Sequence, residues 1–157
     1  MLKGRIKLID NADELPDCLD VLNVSYRHRD GRLGIERSYK NADLSYEKLK
    51  EQFERGVRMY GYIGDNKIVA FLSFKVNEKD IKIKDIVVLP EYQRKGIGAR
   101  LIDFVKETAK SEKAETVKLG FLYDIPELRS WYEKRGFVLT CVEEYPTARV
   151  GRMEWRV

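Results

Sequence analysis

The chain has 157 residues, 43% of them hydrophobic, 11% aromatic and 36% charged, a composition that supports a packed core and argues against disorder. Thirty basic and 26 acidic residues are interspersed and leave a net charge of +4; the bias favours anionic ligands such as phosphates, without the Lys/Arg stripe of a nucleic-acid binder. Two cysteines without CxxC spacing (Cys18, Cys141) and one histidine (His28) argue against a metal site, and no run approaches the ~20 apolar residues of a membrane span.

Those features, with an N-terminus lacking a secretory pattern, predict one cytoplasmic domain over residues 1–157. In chain order, GRIKLI (4–9) alternates like a strand and a helix is expected from about Asp13 to Val24. The polar SYRHRDGRLGIERSYKNAD (25–43) reads as a long irregular connection. Ser45 caps a second helix, SYEKLKEQFERG, which Gly56 stops. VRMYGYI (57–63), KIVAFLSFKV (67–76) and IKIKDIVVL (81–89), joined by short turns, predict an antiparallel meander at the centre of a sheet.

After a glycine turn, Ile97, Leu101, Val105 and Ala109 recur every fourth residue, as on the buried face of a helix. ETVKLGFL (115–122) reads as a strand, PELRSWYEKRG as a helix opened by Pro126 and closed by Gly136, and FVLTCVEEY and RVGRMEWRV as two closing strands. The expected order is βα-α-βββ-α-β-α-ββ. It is a mixed α/β fold, with about four helices flanking a twisted, mostly antiparallel sheet of six to seven strands.

The segment DIVVLPEYQRKGIGARLIDFV (85–105) passes from an apolar strand through a charged turn, with glycines at 96 and 98, into that helix. Such a junction presents free backbone N–H groups and the positive end of a helix dipole to an anion. Gln93, Arg94, Lys95, Gly96, Ile97, Gly98 and Ala99 would form the cradle. GxxxxGK[ST] does not occur, and Leu101 stands where a dinucleotide fingerprint needs a third small residue.

Gln93-Arg94-Lys95-Gly96-Ile97-Gly98 resembles the Q/R-x-x-G-x-G/A loop of the GNAT superfamily of acetyl-CoA-dependent N-acetyltransferases, and Trp131-Tyr132-Glu133-Lys134-Arg135-Gly136-Phe137 is similar to its later LYEKxGF block. The resemblance implies acetyl-CoA as co-substrate, with its pyrophosphate on the loop and its pantetheine arm along the backbone of Ile86, Val87 and Val88. The N–H of Val87 or Val88 would then hold the acetyl oxygen. It also implies Tyr132 as the acid that protonates the departing thiolate. Trp131 and Tyr132 read equally as core aromatics. Where many members carry an asparagine seven residues before the tyrosine, this chain has Ile125, so a coenzyme contact there would fall to Asp124 or to backbone.

Transfer to an amine also needs a base, because an ammonium has no free lone pair. Asp85, two residues before Val87 and on its side of the strand, is the candidate, acting directly, through water or only structurally; Glu143 and Glu144 are alternatives. The resemblance places the acceptor near residues 25–46 and 143–153. Tyr26, Arg29, Tyr46 and Arg149, with Arg27, Arg32 and Tyr39, are candidate lining residues, and inward-facing arginines would suit an anionic acceptor. The expected function is acetyl transfer to a primary amine of a small molecule or peptide in a ternary complex. The alternative is an acetyl-CoA-binding sensor without turnover. RMEWRV could pair across a homodimer interface or complete the chain's own sheet.

Overall fold

The computed structural model describes residues 4–33 and 44–157, with only the backbone of Arg32 and Leu33. Seven strands form one sheet: β1 (Gly4–Leu8), β2 (Arg58–Gly64), β3 (Lys67–Val76), β4 (Asp80–Val88), β5 (Thr116–Leu122), β6 (Val138–Glu144) and β7 (Arg149–Arg156). Four helices cover it: α1 (Leu15–Leu33), α2 (Tyr46–Glu54), α3 (Ile97–Ser111) and α4 (Pro126–Glu133). The strand order is β1-β2-β3-β4-β5-β7-β6. All neighbours are antiparallel except β4 and β5.

The expected meander is β2-β3-β4. Its first turn is tight because Asp65 and Asn66 both take positive φ, 52° and 63°, the geometry of a two-residue hairpin. The chain's last strand lies inside the sheet, between β5 and β6. RMEWRV therefore completes the chain's own sheet, and its backbone edges are used on both sides.

One expectation fails. Residues 25–33 continue α1 rather than starting an irregular connection. Polarity hid the pattern, for Leu15, Cys18, Leu22, Tyr26 and Asp30 are all buried at helical spacing. The last two of these positions are polar, so an apolar periodicity ends at Leu22, eight residues before Asp30. Tyr39 lies outside the described residues, as does the side chain of Arg32.

The sheet separates two cores. On one side α3 brings Ile97, Leu101, Ile102, Val105 and Ala109 against Leu72, Phe74, Ile81, Ile83, Val117 and Leu119. On the other, Leu15, Cys18, Leu22 and Leu49 of α1 and α2 meet Met59, Phe71 and Val87. Each fully buried aliphatic side chain contributes roughly 1.5–3 kcal/mol to folding, so the α3 face alone is a large part of what holds the sheet.

A bulge in β4 decides which core each residue joins. Ser73 pairs with Asp85 but Phe74 pairs with Ile83, leaving Lys84 without a partner on β3. The extra residue breaks the period-2 alternation. Ile81 and Ile83 therefore pack towards α3, whereas Asp85 and Val87 lie on the α1 side.

Candidate active site

Two irregularities in the sheet build the site. The first is a splay between β4 and β5. Their parallel ladder comprises only Asp80↔Thr116, Ile81↔Val117 and Lys82↔Lys118. Beyond Lys82 the strands diverge, and residues 83–88 have no ladder partner on that side. Leu89 donates its N–H to the Val69 carbonyl at 2.9 Å, and antiparallel hydrogen-bonded pairs alternate. The N–H groups of Val87 and Asp85 therefore face β3, and those of Ile86 and Val88 face the splay. Of the two amides expected at the acetyl oxygen, only Val88 is free of the ladder. Its own carbonyl accepts a hydrogen bond from Gln93 Nε2 at 3.1 Å, which ties the loop to the strand.

The second feature is the loop itself. Gly96 is the N-cap of α3 with φ +82°, and Arg94 has φ +62°. Two left-handed residues two positions apart turn the chain so that successive amides face outward. The first helical bond runs from Arg100 N–H to the Gly96 carbonyl at 3.1 Å, and no side chain caps the helix. The amides of Ile97, Gly98 and Ala99 precede it and are oriented as an anion cradle. A Cβ on Gly96 would meet no atom within 4 Å, so the space above the loop is open. Arg94 and Lys95 are exposed at its rim.

Gly98 has a different reason to be glycine. A Cβ there would stand 3.1 Å from Cζ2 of Trp131, so α4 docks its indole on the first turn of α3. Arg135 stacks on the same indole, its guanidinium carbon 3.7 Å from the ring centroid. Trp131 therefore joins the loop to the helix that carries Tyr132.

Tyr132 is buried among Phe121, Trp131 and Phe137, with ring centroids 6.1, 5.1 and 5.9 Å away. Burial pushes its phenol up to about 12, against smaller opposing effects of Arg29 and Arg135. It is thus a protonated phenol at neutral pH.

Asp85 is buried on the α1 side. Its Oδ1 accepts from Tyr26 Oη at 2.7 Å and its Oδ2 from Ser73 Oγ at 2.9 Å. The continuation of α1 brings the tyrosine there. One turn later Asp30 is buried too, paired with Arg29 at 3.1 Å, and the Arg29 guanidinium lies 4.7 Å from the Tyr26 ring centroid. Burial and the neighbouring Asp85 carboxylate raise the Tyr26 phenol well above its usual range; Arg29 opposes this, and Tyr132 adds to it.

The structure thus gathers Tyr26, Arg29, Asp85 and Tyr132, and sets other candidates apart. Tyr46 begins α2 and packs against the α1 core. Arg149 forms a two-point ion pair with Asp124 and lies 5.0 Å from the Tyr123 ring centroid. Ile125 is buried and offers no polar side chain. Arg27 and His28 are exposed. Glu143 is paired with Arg152 on β6, three strands from Asp85, and Glu144 shares that strand. Ser73 and Asp30 were missed. Ser73 had a signal, as the one polar residue inside the apolar run IVAFLSF.

Residues 18–137 match the family model described as Acetyltransferase (GNAT) family. The chain belongs to the GNAT acetyltransferase family. Over 102 residues it is 28% identical to an uncharacterized N-acetyltransferase of Bacillus subtilis, YvbK, a match covering 65% of this chain and 66% of that relative. The GNAT fold is equally clear in solved structures. The PaiA N-acetyltransferase of Thermoplasma acidophilum, in complex with coenzyme A, superimposes with a TM-score of 0.82 at 18% identity, covering 99% of this chain and 100% of the other. A GNAT family acetyltransferase of Elizabethkingia anophelis with acetyl-CoA bound gives 0.75 at 19% identity, covering 98% of each chain. Family and fold are as the two sequence blocks implied.

Proposed function

We propose that this GNAT protein transfers the acetyl group of acetyl-CoA to a primary amine of a small molecule or peptide, by direct attack within a ternary complex. The observation that carries the reading is the splay of β4 from β5, open beside an uncapped helix N-terminus and next to a protonated, buried phenol. The residues present fit the coenzyme. Pyrophosphate suits the amides of Gly96, Ile97, Gly98 and Ala99 with Arg94 and Lys95, and an amide-bearing arm suits the unpaired backbone of Ile86 and Val88.

Acetyl-CoA supplies a thioester whose carbonyl carbon accepts the amine and whose sulfur leaves as a thiolate. The Val88 N–H is placed to polarise that carbonyl, as an oxyanion donor does. Asp85 takes the first proton from the acceptor ammonium, leaving a lone pair for attack. Tyr132 gives its proton to the thiolate and recovers one from the acylated nitrogen. The net products are an amide, a free thiol and one proton returned to solvent. Arg29 at the acceptor side would favour an amine that also bears an anionic group.

The test combines calorimetric titration with acetyl-CoA and an amine screen followed by thiol release. Saturable binding that weakens for analogues lacking the pyrophosphate, with thiol release dependent on an amine, is the expected result. Binding without release for any small-molecule or peptide amine would instead mark a sensor of acetyl-CoA.

A further inference from the structure

The carboxylate assigned as base is poorly placed to touch an amine. Asp85 is buried under α1, and each of its oxygens already accepts a hydroxyl hydrogen bond, from Tyr26 at 2.7 Å and Ser73 at 2.9 Å. Of these two donors, Ser73 is fully buried inside β3. Tyr26 comes from α1, is itself buried but less completely (7% exposed, against 4% for Asp85 and 0% for Ser73), and has Arg29 over its ring. α1 is the helix that the family resemblance puts on the acceptor side.

A phenol oxygen that donates to a carboxylate still has lone pairs with which to accept a hydrogen bond. The donated bond strengthens that acceptance, since hydrogen bonds in a chain polarise one another.

We propose that Tyr26 is a proton relay between the acceptor amine and Asp85. An N–H proton of the ammonium passes to Tyr26 Oη as the Tyr26 proton passes to Asp85 Oδ1. One N–H bond and one O–H bond break, and two O–H bonds form. The amine is left neutral, Tyr26 unchanged and Asp85 protonated, to be discharged later to solvent. This rests on the reading of Asp85 as base and adds the group that touches the substrate.

The charged and titratable groups around Tyr26 fit the role. Asp85 on β4 and Tyr132 on α4 raise its pKa, while Arg29 on its own helix lowers it, with burial the largest effect. Tyr26 therefore stays protonated at neutral pH and carries a proton without accumulating as phenolate. Tyr132 is near enough to influence the Tyr26 phenol electrostatically, which puts the relay and the proposed acid in one site.

The experiment compares two probe amines under acetyl-CoA saturation near neutral pH. Propylamine is then an ammonium, with a pKa near that of lysine, about 10; 2,2,2-trifluoroethylamine is mostly neutral and needs no relay. For Tyr26→Phe, kcat/KM for propylamine should fall on the order of 10²-fold, while that for trifluoroethylamine stays within a few-fold of wild type. An equal loss on both amines, or none on either, overturns the relay. So does a wild-type protein that acetylates neither. Asp85→Asn separates the two ideas: if it retains propylamine turnover, the base assignment itself falls, whereas if it is impaired and Tyr26→Phe is not, only the relay falls. Should Tyr26→Phe fail to fold, wild-type rates in mixtures of light and heavy water decide. The relay moves two protons together, so the dependence on deuterium fraction should curve for propylamine and be straight for trifluoroethylamine. Straight lines for both overturn it.

Discussion

On the proposed mechanism, Tyr132 would serve packing and chemistry at once. Its ring fills the space between Phe121, Trp131 and Phe137, and that same burial raises its phenol to about 12. An acid held protonated in this way can meet a thiolate without ionising first. Removing the hydroxyl in Tyr132→Phe should lower kcat on the order of 10²-fold and leave acetyl-CoA affinity within a few-fold, read by steady-state kinetics and calorimetry. The same pKa carries a stability consequence. The folded-state value lies above the ordinary 10.0, so the contribution of the neutral phenol is complete below pH 10 and is lost as pH rises towards 12. Two pKa units correspond to about 3 kcal/mol. Urea midpoints measured between pH 9 and pH 11.5 (roughly the accessible part of that window) should fall less for Tyr132→Phe than for wild type, with Tyr26 supporting a residual fall in both.

At the scale of elements, the two glycines of the loop prove to have separate duties. Gly96 takes a positive φ under open space, whereas Gly98 lies against the Trp131 indole. The second contact couples α3 to α4, and so couples the anion cradle to Tyr132. Gly98→Ala should therefore destabilise the fold by about 1–3 kcal/mol through overpacking and weaken acetyl-CoA binding. In the Gly98→Ala/Trp131→Leu double variant the smaller side chain makes room, and the loss from the glycine change should shrink. A double-mutant cycle on thermal midpoint and Kd measures the coupling; strictly additive effects would remove Trp131 from the loop's support. The bulge at Lys84 acts at this scale as well. It transfers Asp85 and Val87 to the α1 side, and without it Asp85 would point at the apolar core under α3.

For the whole molecule, charge is spread rather than concentrated. The chain carries +4 overall, with Arg94 and Lys95 exposed at the loop. Attraction of a polyanionic coenzyme then depends on screening, whose range shrinks from about 10 Å at 0.1 M salt to about 3 Å at 1 M. Raising NaCl across that range should weaken acetyl-CoA binding measurably by calorimetry. Arg94→Ala/Lys95→Ala should bind more weakly at low salt and show a shallower salt dependence. An affinity indifferent to salt would mean the loop amides act without help from the rim. No helix among the described residues is long and apolar enough to cross a membrane.

What the sequence determined by itself was local in origin. The four-residue spacing of Ile97, Leu101, Val105 and Ala109 pointed to α3, Gly64-Asp65-Asn66 to a hairpin, and the string from Gln93 to Gly98 with the block at Trp131 to the family. Each is written in contiguous residues, because helix periodicity, turn geometry and an anion-binding helix N-terminus are short-range effects. Tertiary structure decided the rest. The last polar turns of α1 hold as helix because Tyr26 reaches Asp85 across 59 residues of chain. The register shift at Lys84, the early end of the β4–β5 ladder and the insertion of β7 between β5 and β6 all depend on which strands become neighbours. So does the contact of Gly98 with Trp131. Hydrogen-bond registry and side-chain fit between distant segments leave no local periodicity to read, and in this protein they decide where the proposed base, the proposed acid and the open backbone stand.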